Sequence, residues 1–137
     1  MGTLIGIGVV SYTTNTDSVS SNLFNDAAWT LNDWVDNGDE TYSNFDASTQ
    51  GPNTYLEQDA GLIQGATYRI EFTIIIRTVG GMSPVVAGTN GSQQNSVNSF
   101  TEEIVAGSTS RSGFTANGSV TSELKIGSLG LYYVSGP

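Results

Sequence analysis

The densest run of chemically capable side chains is Asp33-Trp34-Val35-Asp36-Asn37-Gly38-Asp39-Glu40. Carboxylates and carbonyls at close spacing are what calcium selects. An EF-hand needs oxygen ligands at alternate positions, glycine sixth and glutamate twelfth, and this run has a different order. It reads more simply as a hairpin turn with solvated acids. A carboxylate pair that cleaves glycosides must face a common cleft. Glu102 and Glu103 are adjacent, so on a strand they point to opposite faces. Glu57 and Asp59 share a face, but nothing in the sequence desolvates either. The chain has no histidine and no cysteine, which removes the commonest general base, the usual partner of a nucleophilic serine and every thiolate metal site. No G-x-S-x-G elbow is present, and no phosphate-cradling glycine loop leads into a helix. Catalysis, a metal and a cofactor are therefore not expected.

Aromatic side chains remain, because sugars stack on Trp and Tyr faces. On a strand Ala27–Val35, Trp29 alternates with Ala27 and Leu31 and points inward, while Trp34 shares the outward register of Thr30 and Asn32. An unbroken strand leaves Trp34 exposed near Tyr42 across a hairpin. That pair is the candidate contact for a sugar or for another protein, and a β-bulge would instead bury Trp34.

Charge narrows the partners. The net charge is −9, from thirteen acids against Arg69, Arg77, Arg111 and Lys125. Residues 1–68 hold nine of the acids and no base. Phosphate recognition relies on clustered Lys and Arg, so neither nucleic acid nor an anionic membrane is an expected partner. The apolar opening, Leu4 to Val10, lacks the basic flank and cleavage site of a signal peptide, so the chain is expected to fold inside a cell.

The elements that position these residues are strands. At 137 residues the chain makes one domain with one core. It is rich in Gly, Ser, Thr and Asn, and no 3.6-residue period is long enough for a helix; Phe24–Ala28 could form one turn. Strands are predicted at Leu4–Tyr12, Ala27–Val35, Thr41–Phe45, Thr54–Gln58, Ala66–Val79, Ser83–Ala87, Phe100–Val105, Ser112–Thr115, Val120–Ile126 and Leu129–Ser135. Turns fall at Asp36–Asp39, Gly88–Ser92 and Asn117-Gly118, and Ala27–Phe45 reads as a hairpin. About 8–10 short strands at this spacing make an all-β antiparallel sandwich or barrel.

"TYRIEFTIIIR" (67–77) is the most strongly patterned stretch. Period-2 alternation assigns Tyr68, Ile70, Phe72, Ile74 and Ile76 to the core, and Arg69, Glu71, Thr73, Ile75 and Arg77 to the opposite face. Arg69, Glu71, Ile75 and Arg77 have two readings: cross-strand ion pairing, or an assembly contact in which a neighbour covers Ile75.

Several segments together are similar to one family. "AWTLNDWVDNGDETYSNFDA", "TYLEQDAGLIQGATYRIEFTI", "VVAGTNGS", "SFTEEIVAGSTS", "GFTANGSV" and "LKIGSLGLYYV" resemble the carbohydrate-binding-module-like (galactose-binding-like) jelly roll of tailed-phage virion structural proteins. The likeness spans about residues 27–135 and rests on framework strands and turns. It implies a jelly-roll sandwich over 26–137, preceded by an N-terminal strand or arm at 1–25. It further implies a viral structural protein of the virion: an oligomeric capsid decoration (cement) protein or a small head-fibre or tail component. A homotrimer is the first expectation and a dimer the second. Partners would be the major capsid protein or other virion proteins, and a host-surface glycan if the domain aids attachment. The alternative is a carbohydrate-binding module that mediates glycan adhesion. The family often ends on an acid-bearing strand that supports a structural calcium; Ile126–Val134 carries no acid, so no metal is carried over.

Overall fold

A computed structural model describes residues 20–44, 54–116 and 123–137. The expected strand Leu4–Tyr12 and the Asn117-Gly118 turn lie outside them. Ten strands form there: β1 (Thr30–Asn32), β2 (Val35–Asp36), β3 (Tyr42–Ser43), β4 (Tyr55–Gln58), β5 (Thr67–Val79), β6 (Met82–Val86), β7 (Thr89–Asn90), β8 (Asn98–Val105), β9 (Ser112–Ala116) and β10 (Glu123–Ser135). No helix occurs among the described residues; Asp26-Ala27 makes only a turn.

Two five-stranded antiparallel sheets pack face to face, ordered β1-β4-β9-β6-β7 and β2-β3-β10-β5-β8. Strand β3 pairs with β10, β4 with β9, β5 with β8 and β6 with β7. The chain is thus one long hairpin of strand pairs, rolled so that successive pairs alternate between sheets. That is a jelly roll, extended at one edge by β1 and β2.

Hydrophobic alternation drives the packing. Along β5, Tyr68, Ile70, Phe72 and Ile74 are buried and face Leu56, Met82, Val86 and Phe114 of the other sheet. Phe114 sits at the centre of an aromatic cluster, with ring centroids 5.1 Å from Phe72, 5.8 Å from Phe24 and 6.4 Å from Trp29. Trp29 and Tyr42, 6.1 Å apart, close the β1/β2 edge of the core.

The alternation stops at Ile74. Ile76, expected in the core, is 44% exposed. Pairing with β8 ends at Ile74↔Asn98, and the β10 register slips beside Lys125 and Ile126. Residues Ile75–Val79 therefore overhang the sandwich.

Other boundaries also shift. The expected strand Ala27–Val35 breaks at Asp33, whose φ of 61° turns the chain from one sheet to the other. The hairpin survives as β2–β3, with Val35 opposite Ser43. The two predicted C-terminal strands join into β10, with an irregularity between Gly127 and Gly130 at Ser128 (φ 53°). Of the expected arm, residues 20–25 lie against the sandwich: Leu23 N–H donates to Leu131 O at 2.8 Å, and Phe24 enters the core.

Candidate functional site

The outward face of the β1-β4-β9 sheet carries a polar groove. Strand pairing sets its rows: Glu57 lies opposite Thr30 and Gly113, and Tyr55 opposite Asn32 and Thr115. Leu56 between them points into the core, so Tyr55 and Glu57 must face out. Gly113 contributes no side chain beside Glu57, and Arg111 reaches over the carboxylate. Its Nε and Nη2 both donate to Glu57 Oε2, at 2.8 and 2.5 Å. Glu57 is only 8% exposed, whereas the Arg111 side chain is half exposed. The Glu57 hydrogen bond raises the Arg111 pKa above its ordinary value. Arg111 is held from its backbone too: its N–H donates to Thr109 Oγ1 at 3.2 Å, and its carbonyl accepts from Gly88 N–H at 2.8 Å.

Asn32, Tyr55, Glu57, Arg111 and Thr115 enclose about 380 Å³. A second hollow of about 200 Å³ shares Tyr55, Glu57 and Arg111 and continues past Thr30, Asp59 and Ser110. The combination offers an aromatic face, amide and hydroxyl groups, and one buried carboxylate capped by a guanidinium. It is equipped to bind a polar ligand.

Trp34 and Tyr42 do not form the exposed platform that the sequence suggested. Trp34 is 5% exposed and Tyr42 1% exposed, both in the core. The cause is the left-handed turn at Asp33, which rotates Trp34 inward as the chain changes sheets. Burial pushes the Tyr42 phenol up to about 12, helped by the negative charges of Asp36, Asp26 and Glu40. The indole N–H of Trp34 is buried without a hydrogen-bond partner.

The acidic turn uses its carboxylates locally. Asp36 Oδ1 accepts from Gly38 N–H at 2.8 Å, and Asp39 Oδ1 from Thr41 N–H at 3.2 Å and from the Thr41 hydroxyl. The Thr41 hydroxyl bond is the main reason the Asp39 pKa is lowered. Among the described residues no three acidic side chains converge as a metal site would require.

Arg69, Glu71 and Ile75 share the outward face of the other sheet, as alternation requires. Arg69 pairs with Glu71 on its own strand at 2.6 Å, and its guanidinium lies 4.7 Å from the Tyr132 ring centroid. A side chain at Gly127 would meet Ile75 Cδ1 at 3.1 Å, so Ile75 lies across the space that this glycine leaves. Arg77 is not with them: its Nε donates to Gly80 O at 2.8 Å at the strand's end. The groove residues Asn32, Tyr55, Arg111 and Thr115 had no signal in the sequence. Arg111 lies 54 positions from Glu57, and only the β4–β9 pairing joins them.

No protein-family model matches the chain, and a search of curated proteins found no match.

Proposed function

We propose that the protein is a non-catalytic structural component of a tailed-phage virion, an oligomeric decoration protein or a small head-fibre or tail part that docks on a capsid or other shell protein. The observation that carries the reading is the β5 overhang. Ile75, Ile76 and Val79 are 39%, 44% and 42% exposed, beside a strand edge that β8 no longer pairs. Apolar side chains next to an unpaired edge are a surface that proteins normally cover with a neighbour. The jelly-roll strand order agrees with the family that the sequence segments resemble. Mass spectrometry of purified particles tests the reading: hundreds of copies mean decoration, a few mean fibre or tail, and absence defeats it. Ile75→Asp with Ile76→Asp should weaken particle binding and lower the oligomeric state measured by light scattering.

The polar groove favours a second reading, a carbohydrate-binding module used for glycan adhesion. A glycan panel probed with the full chain tests it, and no binding to any glycan rejects it.

A further inference from the structure

The geometry points to the groove over β1, β4 and β9 as a site for an uncharged saccharide, with the Arg111–Glu57 pair gripping adjacent hydroxyls and Tyr55 supporting the ring. This inference rests on the second reading above and gives it a place and a ligand class.

The ion pair supplies the first reason. Both Arg111 donors in the pair go to one carboxylate oxygen, Oε2. A guanidinium has five N–H donors, so three remain, and Glu57 Oε1 takes no part in the pair. Donors and an acceptor therefore stand side by side at the floor of the groove. Two neighbouring hydroxyls complement this pattern: one donates to Oε1, and the next accepts from Nη1. Hydrogen bonds to charged groups are the stronger kind, and here the carboxylate is already buried before a ligand arrives.

The second reason is charge. Glu57 cancels Arg111, and Asp59 farther along leaves the two hollows with a net charge of −1, on a chain of −9. A uronate, sialate or phosphate would meet an arginine already spent on a carboxylate, within a negative field. Asn32, Thr30, Thr115 and Ser110 add neutral donors and acceptors. Beyond the remaining Arg111 donors, the lining holds no positive charge for a negative ligand.

Shape supplies the third. The half-buried Tyr55 lies beside the pair and offers a ring to the apolar CH face of a sugar. A volume of about 380 Å³ falls in the range of small-ligand sites. The hollow that continues past Thr30 and Ser110 makes the site a trough, which suits a short chain of sugars over a single one. Because the Arg111 backbone is pinned at both N–H and C=O, little ordering is left for the ligand to impose.

The test is calorimetric titration of the full chain with neutral oligosaccharides (gluco-, xylo-, manno- and galacto-configured) and with oligogalacturonate and sialyllactose. Binding of a neutral series is expected. Tyr55→Ala, Arg111→Lys and Asn32→Ala should each weaken it, the first two by about tenfold or more. Arg111→Lys keeps the charge over Glu57 and Asn32→Ala sits on a short edge strand, so both should fold as judged by circular dichroism. Neutral binding that survives all three variants overturns the site while leaving the carbohydrate reading intact. Selective binding of the anionic sugars overturns the ligand class. No binding of any saccharide by the folded chain overturns both the inference and the carbohydrate reading.

Discussion

Trp34 offers the sharpest check on how this chain folds, because its two possible placements predict opposite results. At 5% exposure it removes nearly a whole indole from water. A Trp side chain buries about 150–250 Å², which at about 25 cal/mol per Å² is roughly 4–6 kcal/mol of transfer free energy. Truncating a buried Trp to Ala usually costs about 3–5 kcal/mol once the cavity is included. Here part is returned, since the indole N–H is buried without a partner and its removal relieves about 1–3 kcal/mol. Trp34→Ala should therefore destabilise by about 2 kcal/mol, the centre of a range of roughly 0–4. Trp34→Phe keeps most of the ring and deletes the orphan donor, so it should fall within about 1 kcal/mol of wild type.

Urea unfolding followed by far-ultraviolet circular dichroism reads both numbers, with an unchanged slope required for the comparison. In a Trp29→Phe background, Trp34 emission should be blue-shifted and weakly quenched by acrylamide. An exposed platform would behave otherwise: both substitutions within about 0.5 kcal/mol, with emission like that of free indole in water. That outcome would refute the turn at Asp33 as the device that reverses the residue's direction.

Tyr42 makes stability depend on alkaline pH. Its folded pKa of about 12 lies above the value near 10 of an unfolded tyrosine, so its contribution is complete below pH 10 and lost between about pH 10 and 12, at no more than about 1.4 kcal/mol per unit; Tyr42→Phe should flatten that part of the stability curve. Gly113→Ala should abolish folding or cost more than about 3 kcal/mol, because φ is +147° and the new Cβ would stand 2.1 Å from Leu56 O; a folded variant of wild-type melting temperature would contradict the register of β4 on β9. Ile76→Ala should cost under about 0.5 kcal/mol and Ile74→Ala about 2–5 kcal/mol, a contrast that locates the end of the core by urea titration. Arg111→Ala should cost about 1–2 kcal/mol by stranding the Glu57 carboxylate, discounted for the arginine's exposure, and adding Glu57→Gln should restore part of it in a double-mutant cycle.

What could be read from the chain follows from how local each determinant is. The β5 core face was legible through Ile74, because two-residue alternation is a property of the strand itself. Ile76 was misplaced, because alternation does not say where a strand outruns its neighbours, and β5 runs on past Ile74, where its pairing with β8 ends. The β2–β3 hairpin was legible from Asp36-Asn37-Gly38-Asp39, whose side chains close their own turn. Trp34 was not, since the pattern cannot say that Asp33 leaves the strand conformation, although Asp tolerates the left-handed region better than most residues. For the groove the difficulty was distance: Glu57 was noticed as a carboxylate, but its burial depends on Arg111, which only the tertiary pairing brings near.

The sandwich's two outward faces are unlike, and the difference separates the two proposed roles in space. On the β10–β5 face, small residues leave gaps that larger neighbours fill: Ile75 lies over Gly127, and Tyr132 folds back over Gly130 with Arg69 stacked on it. Such filling gives broad contact area with few unmet polar groups, which suits a protein neighbour reaching in from the β5 overhang. On the β4–β9 face, Asn32, Tyr55 and Thr115 with the Arg111–Glu57 pair instead border a hollow of about 380 Å³ that no side chain of the sheet fills, which suits a small ligand. The sheets lie on opposite sides of one core, so a shell contact through Ile75 and Ile76 leaves the Tyr55 groove open. It follows that Ile75→Asp with Ile76→Asp should weaken particle binding without changing saccharide affinity, and Tyr55→Ala should do the reverse. Loss of both functions in either folded variant would mean that the two surfaces are not independent, and the separation argued from the sheet order would fail.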